Sequence, residues 1–208
     1  MRHGQLPLGS TRVRAVGENR KRAAGSPDAR VSIRALVTLA EISGAKGDAQ
    51  RAADYYGQAI LKEQALSGKE SAAVARLLNG LSPLLEPAQA IPLLERALAI
   101  ERKALGARHP ETATTEANLA GTLLNAKRTA EAIRLATEAI SVFEETLGRD
   151  HPRTALSLTI LGYGLRTKGD RAGAERCFRR AVAIDERAYG REHPQTVEDR
   201  RVLEELAR

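Results

Sequence analysis

Three histidines, His109, His151 and His193, stand 42 residues apart, and each is followed by a proline. Imidazole is a common metal ligand and proton carrier, so a recurring histidine first suggests a metal centre or acid–base chemistry. Ligands on one zinc ion must each lie about 2.1 Å from it. One histidine per repeat places the three on separate elements, and packed helices lie about 8–10 Å apart. They cannot share an ion, and no metal site is expected. The other reading is structural. Proline is favoured at the first helical position, where its missing N–H has no partner anyway. The histidine, or Asp150 ahead of it in one copy, then takes the N-cap place.

The remaining reactive side chains are equally unpromising. Cys177 sits beside Phe178 and near Ala181 with no adjacent histidine, so it reads as a small buried hydrophobe. Glu144-Glu145 and Glu204-Glu205 are sequential, so the members of each pair point about 100° apart around a helix and cannot act together on a substrate. The chain contains no Gly-rich phosphate loop, Gly-x-Ser-x-Gly elbow or His-Glu-x-x-His. No catalytic residue and no cofactor is expected. The chain reads as a non-enzyme.

The elements that carry these histidines repeat with them. His109-Pro110-Glu111-Thr112 returns as His151-Pro152-Arg153-Thr154 and as His193-Pro194-Gln195-Thr196. A fixed period in this range marks a stacked repeat protein. Alanine pairs seven apart, Ala52/Ala59, Ala90/Ala97, Ala132/Ala139 and Ala174/Ala181, advance by 38, 42 and 42 residues. Seven residues are two helical turns, so both members share a face. Twelve residues before each pair comes Ala40, Leu78, Ala120 or Gly162, each preceded by a leucine. Turn signals at Gly47-Asp48, Glu86-Pro87, Lys127-Arg128 and Gly169-Asp170 separate the two halves, so each copy reads as helix, tight turn, helix.

Local signals agree with the period. Leu105-Gly106, Leu147-Gly148 and Tyr189-Gly190 close helices with a left-handed glycine. In the shortened second copy, Ser67-Gly68-Lys69-Glu70 reads as a Ser-x-x-Glu capping box. Leu119 with Leu123, and Leu161 with Leu165, stripe the first helix of a copy. Ile133, Ala136, Ala139, Ile140 and Phe143 stripe the second. Neither stripe can be buried within one helix pair, so neighbours must stack. The last segment is half a copy: Val197, Leu203 and Leu206 are expected to face the stack. Glu198, Asp199, Arg200, Arg201, Glu204 and Glu205 are expected to face water and cap the array.

The 208 residues are 42% hydrophobic, with six aromatics and no tryptophan, which suits close packing of helices through small aliphatic side chains. No apolar run approaches the roughly 20 residues of a membrane span, and no leader-like segment is evident. One cysteine permits no internal disulfide, and a cytoplasmic setting is expected. The net charge of +7 is uneven: residues 1–30 hold seven basic against two acidic groups, leaving 26 against 24 elsewhere. Arg12, Arg14, Arg20, Lys21 and Arg22 with interspersed glycines suggest a poorly ordered basic arm over 1–27, or alternatively a degenerate helix from Thr11 to Ala24.

The pattern Leu-x-x-Leu-Ala, then Gly-Asp, then Ala-x6-Ala with Leu-Gly-x-x-His-Pro-x-Thr resembles the tetratricopeptide repeat, in the 42-residue variety known from kinesin light chains. HEAT and armadillo repeats have similar periods, but the in-register alanine pairs and Gly-Asp turns argue against them. The resemblance implies an all-α solenoid, a right-handed superhelix of about four repeats at 28–66, 67–108, 109–150 and 151–192 with a capping helix at 194–207. It also implies that first helices line a concave groove that binds peptides. By register, the groove residues are Arg34, Thr38 and Glu41; Arg76 and Asn79; Thr114, Asn118 and Asn125; and Ile160, Tyr163 and Arg166. Of Thr38, Arg76, Asn118 and Ile160, only Asn118 carries the asparagine usual in light chains. Ala75, Leu156 and Ile160 stand where a chaperone-type carboxylate clamp has bases, so no such clamp is expected. The expected function is a protein-interaction scaffold binding a peptide or helix of a partner. The alternative is attachment to nucleic acid or an anionic membrane through residues 1–30, with a steep salt dependence.

Overall fold

The computed structural model describes residues 27–207. The basic arm and the possible helix over 11–24 lie outside the described residues. Nine α-helices follow in order: α1 Pro27–Ala45, α2 Ala49–Ser67, α3 Ala72–Leu81, α4 Pro87–Ala104, α5 Pro110–Asn125, α6 Thr129–Thr146, α7 Pro152–Thr167, α8 Arg171–Tyr189 and α9 Pro194–Ala207. A 3-10 turn, Ser82–Leu84, joins α3 to α4. No strand occurs among the described residues. Helices pair as α1–α2, α3–α4, α5–α6 and α7–α8, each second helix packs on the next first helix, and α9 closes the stack on α8. The architecture is an α-solenoid.

The histidines cap helices as expected. Nδ1 of His109, His151 and His193 accepts the backbone N–H of Glu111, Arg153 and Gln195, at 3.1, 3.1 and 3.3 Å. Asp48 and Asp170 cap α2 and α8 by accepting from the N–H of Arg51 and Gly173. The second copy differs from expectation. Ser67 ends α2 and donates its hydroxyl to Glu63, and Ser71 is the N-cap of α3, accepting from Val74 N–H at 3.2 Å. The deletion in this copy carries the cap four residues onward. Threonine in the repeated motif is fully buried at positions 112, 154 and 196. Thr112 donates to the Gly106 carbonyl at 2.9 Å, tying the turn to the helix it precedes.

All eight repeat alanines are buried, as are Leu119 and Leu123, which share a core with Ala136, while Ala139 and Phe143 pack with Ala113 and Ala117. Leu161, Leu165, Ile133 and Ile140 are half-buried between neighbouring pairs. Gly162 lets α7 approach α8: a Cβ there would lie 2.8 Å from the Phe178 ring. Cys177 is buried, and burial pushes its thiol pKa up.

The capping helix keeps Leu203 and Leu206 against the stack and Arg201, Glu204 and Glu205 outward as expected, but Val197 and Asp199 exchange places. Val197 is 45% exposed, while Val202 and Leu206 pack on Phe178 and Ala174. Asp199 is fully buried, accepting from Thr159 Oγ1 at 2.6 Å and Gln195 Nε2 at 2.9 Å. Thr196, Asp199, Val202 and Leu206 form the inner face, an i, i+3, i+6, i+10 row. A hydrogen-bonded carboxylate can occupy an inward position that polarity alone assigns to water.

Candidate functional site: the face of the leading helices

Side-chain contacts join the leading helices across the stack. Asn79 on α3 donates to Thr115 Oγ1 on α5 at 2.6 Å and accepts from Asn118 Nδ2 at 3.2 Å. Arg153 on α7 reaches Glu111 on α5 at 3.3 Å, and Thr159 joins α7 to α9 through Asp199. On the opposite side, Arg180 on α8 bonds Glu144 on α6. The leading helices therefore share one face and the trailing helices the other.

The expected groove residues fall into distinct environments on that face. Arg34 and Arg76 are exposed and, with Arg30, rim a cavity of about 390 Å³ between α1, α2 and α3. Its apolar lining includes Ile33, Leu66 and Leu77. None of the three guanidiniums makes a hydrogen bond or ion pair among the described residues. Thr38 and Glu41 are exposed along α1. Asn79 and Asn118 are half-buried and already hydrogen-bonded to each other. Thr114 donates to the Pro110 carbonyl of its own helix at 2.9 Å, and Asn125 is exposed at the end of α5.

Ile160, Tyr163 and Arg166 are more structural than a free groove would require. Ile160 packs on the core around Leu119. Tyr163 meets Phe178 edge-on at 5.0 Å between centroids, with the Arg166 guanidinium 5.0 Å from its ring centre. Burial first, then Glu198 and Asp199, raise the phenol pKa. Arg166 also lies 3.9 Å from Glu205. Ala75 is fully buried and lines no groove.

A second cavity, about 600 Å³, opens between α7, α8 and α9, lined by residues that include Leu156, Asp185, Tyr189 and His193. It contains Leu156, 47% exposed in register with Arg34 and Thr114. Its acidic group, Asp185, is 3% exposed and has its pKa pushed up to about 6, by burial first and then by Asp199, against a smaller opposing effect of His193. Sequence reasoning missed this site. The signal was present as an aspartate at the register position that Phe143 fills one repeat earlier.

Buried carboxylates recur along the stack. Glu101 is buried between α4 and α5, accepting from Thr115 Oγ1 at 2.5 Å. Glu116 is buried and paired with Arg102 at 2.8 Å. Desolvation raises the pKa of both. Among the described residues no group of three or more His, Cys, Asp or Glu could hold a metal ion.

Comparison with known proteins agrees with this architecture. Nearly identical TPR-like repeats of a kinesin light chain described from Podosopora anserina superpose with a TM-score of 0.70 at 22% identity, covering 84% of each chain. BtubC (BKLC) from P. vanneervenii gives 0.73 at 22% identity, covering 98% of this chain and 85% of its own. A Rap protein, solved in complex with competence and sporulation factor, gives 0.67 at 18% identity, covering 82% of this chain and 47% of its own. No curated protein matches the sequence. The tetratricopeptide repeat family model matches residues 83–145 and 113–187, and with helix pairs stacked in the same register, the chain belongs to the tetratricopeptide repeat family.

Proposed function

We propose that this chain is a non-enzymatic interaction scaffold that holds a peptide segment of a partner protein along the face of α1, α3, α5 and α7. The observation that carries the reading is the cavity rimmed by Arg30, Arg34 and Arg76. Three exposed guanidiniums that make no hydrogen bond or ion pair among the described residues surround a floor of Ile33, Leu66 and Leu77, with the buried Glu63 carboxylate bonded to Ser67 at its side. That arrangement favours a carboxylate next to an apolar side chain, because guanidinium binds carboxylate through two parallel hydrogen bonds. Thr38, Glu41, Asn118 and Asn125 continue the polar path along the array. Tyr163 and Arg166 shape its far wall. The Rap protein, solved with a bound factor, supports a peptide or protein ligand on this fold.

Panning a displayed peptide library on the full chain tests the reading. Peptides carrying Asp or Glu beside an apolar residue are expected to be enriched, and their affinity to fall with added salt. Arg34→Ala with Arg76→Ala should weaken them about tenfold or more. Failure to enrich any such class, or undiminished binding to the double variant, sinks the proposal. Attachment to nucleic acid or an anionic membrane through residues 1–30 depends on residues that, except for the last few, lie outside those described. No structural observation favours it. No helix among the described residues is long and apolar enough to cross a membrane.

A further inference from the structure

We propose that the cavity between α7, α8 and α9 receives an arginine side chain of a bound peptide, with the Asp185 carboxylate as counter-ion and the Tyr189 ring as one wall. The proposal adds a second pocket, with the unpaired Asp185 carboxylate in its wall and Arg153 at its rim, to the groove described above, and rests on that reading only in having the arginine arrive on a peptide.

The stack contains its own controls. One trailing-helix position, advancing by 38, 42 and 42 residues, holds Glu63, Glu101, Phe143 and Asp185, and all four are buried. Glu63 accepts the Ser67 hydroxyl, Glu101 accepts the Thr115 hydroxyl, and Phe143 has nothing to satisfy. The positions equivalent to Ser67 and Thr115 around Asp185 hold Tyr189 and Asp199. Asp199 is itself an acceptor, occupied by Thr159 and Gln195. Asp185 is left with no hydrogen bond or ion pair among the described residues, although it is 3% exposed and lines the cavity. A buried carboxylate without a donor costs free energy that an incoming cation recovers.

The cations already nearby are committed elsewhere. Arg153 lines the cavity but pairs with Glu111, and Arg187 pairs with Asp150 at 3.0 Å. His193 uses Nδ1 to cap α9. The other walls suit a guanidinium. Tyr189 is 53% exposed and held by stacking on His193, centroids 4.7 Å apart. Leu156 offers an apolar surface to the aliphatic stem. A planar guanidinium can stack on an aromatic ring while forking to a carboxylate, which an ammonium cannot do.

The test is titration of the full chain with acetyl-Gly-Arg-Gly-amide, with lysine and citrulline peptides alongside, followed by NMR of the labelled tyrosine rings. A saturable shift of Tyr189 is expected with the arginine peptide, about tenfold weaker in Asp185→Asn, and none with citrulline, which keeps the shape without the charge. Asn is isosteric, and an unchanged circular-dichroism spectrum establishes that the variant is folded. Absence of a saturable shift, equal binding of citrulline, or undiminished affinity in Asp185→Asn overturns the proposal. A lysine peptide binding as tightly as arginine overturns the choice of guanidinium. Loss of the groove reading would show as no acidic class in the library selection, whatever the arginine titration gives.

Discussion

Asp185 and Asp199 are two of the five carboxylates buried among the described residues, with Glu63, Glu101 and Glu116, in a stack otherwise filled mainly by aliphatic side chains. The folded-state pKa of Asp185 lies near 6, against an ordinary 3.8, so the folded chain holds more protons than the unfolded chain between these values. Stability from this group is therefore present below about 4 and is lost as pH rises through about 6. Asp199 and His193 face the same group, and Asp199 is shifted in the same direction by burial. Asp185→Asn removes the penalty at neutral pH. Its melting temperature should exceed that of the parent by about 2–6 °C at pH 7.5 and match it near pH 4. An equal gain at both pH values would show that charge is not the cause. Lys127 presents a second residue-scale cost. It adopts φ 61° where the first and fourth copies have Gly47 and Gly169 at φ 81° and 84°. Lys127→Gly should stabilise by about 0.5–1 kcal/mol in denaturant unfolding, since glycine lacks the Cβ that disfavours this conformation.

At the scale of the element, helix packing depends on size matching at a few inner positions. Leu119 sits in the core that joins α4, α5 and α6, and Leu119→Ala should destabilise by about 2–5 kcal/mol through lost burial and the cavity left behind. An unchanged thermal melt would refute that assignment. Gly162 leaves no room for a methyl group against Phe178, so Gly162→Ala should cost about 1–3 kcal/mol despite the better helix propensity of alanine. The boundaries of α5 and α7 were legible because the His-Pro start, the glycine stop and the hydrophobic stripe all agree there. The start of α3 was not, because Ser67 and Ser71 are both good caps in sequence. Contacts of the preceding helix decide between them: Ser67 is held by Glu63 at the end of α2. On α9 the inward place of Asp199 escapes sequence reading for a related reason, since Thr159 and Gln195 make its burial tolerable.

The whole molecule is a line of neighbours, each pair stabilised by the next. Removing α9 would uncover Phe178, Ala174 and the half-buried Leu165. A chain ending after Tyr189 should lose amide-exchange protection first in α7 and α8, with α3–α6 less affected, as local opening follows lost contacts. Uniform loss across the array would instead mean a single cooperative unit. The solenoid could be inferred from residue order alone, because a period of 42 with helix starts, stops and alanine pairs in register leaves stacking as the way to bury every apolar stripe. Which polar side chains remain free on the stacked surface could not be inferred. Register placed Arg34, Asn118 and Tyr163 on one face, but freedom to bind depends on partners far along the chain. Asn79 takes up Asn118 from 39 residues away, Phe178 takes up Tyr163, and no described side chain bonds Arg34 or Asp185. Periodicity is a local property and can be counted; satisfaction of a polar group is a property of the packed neighbours, and these are fixed only when the helices meet.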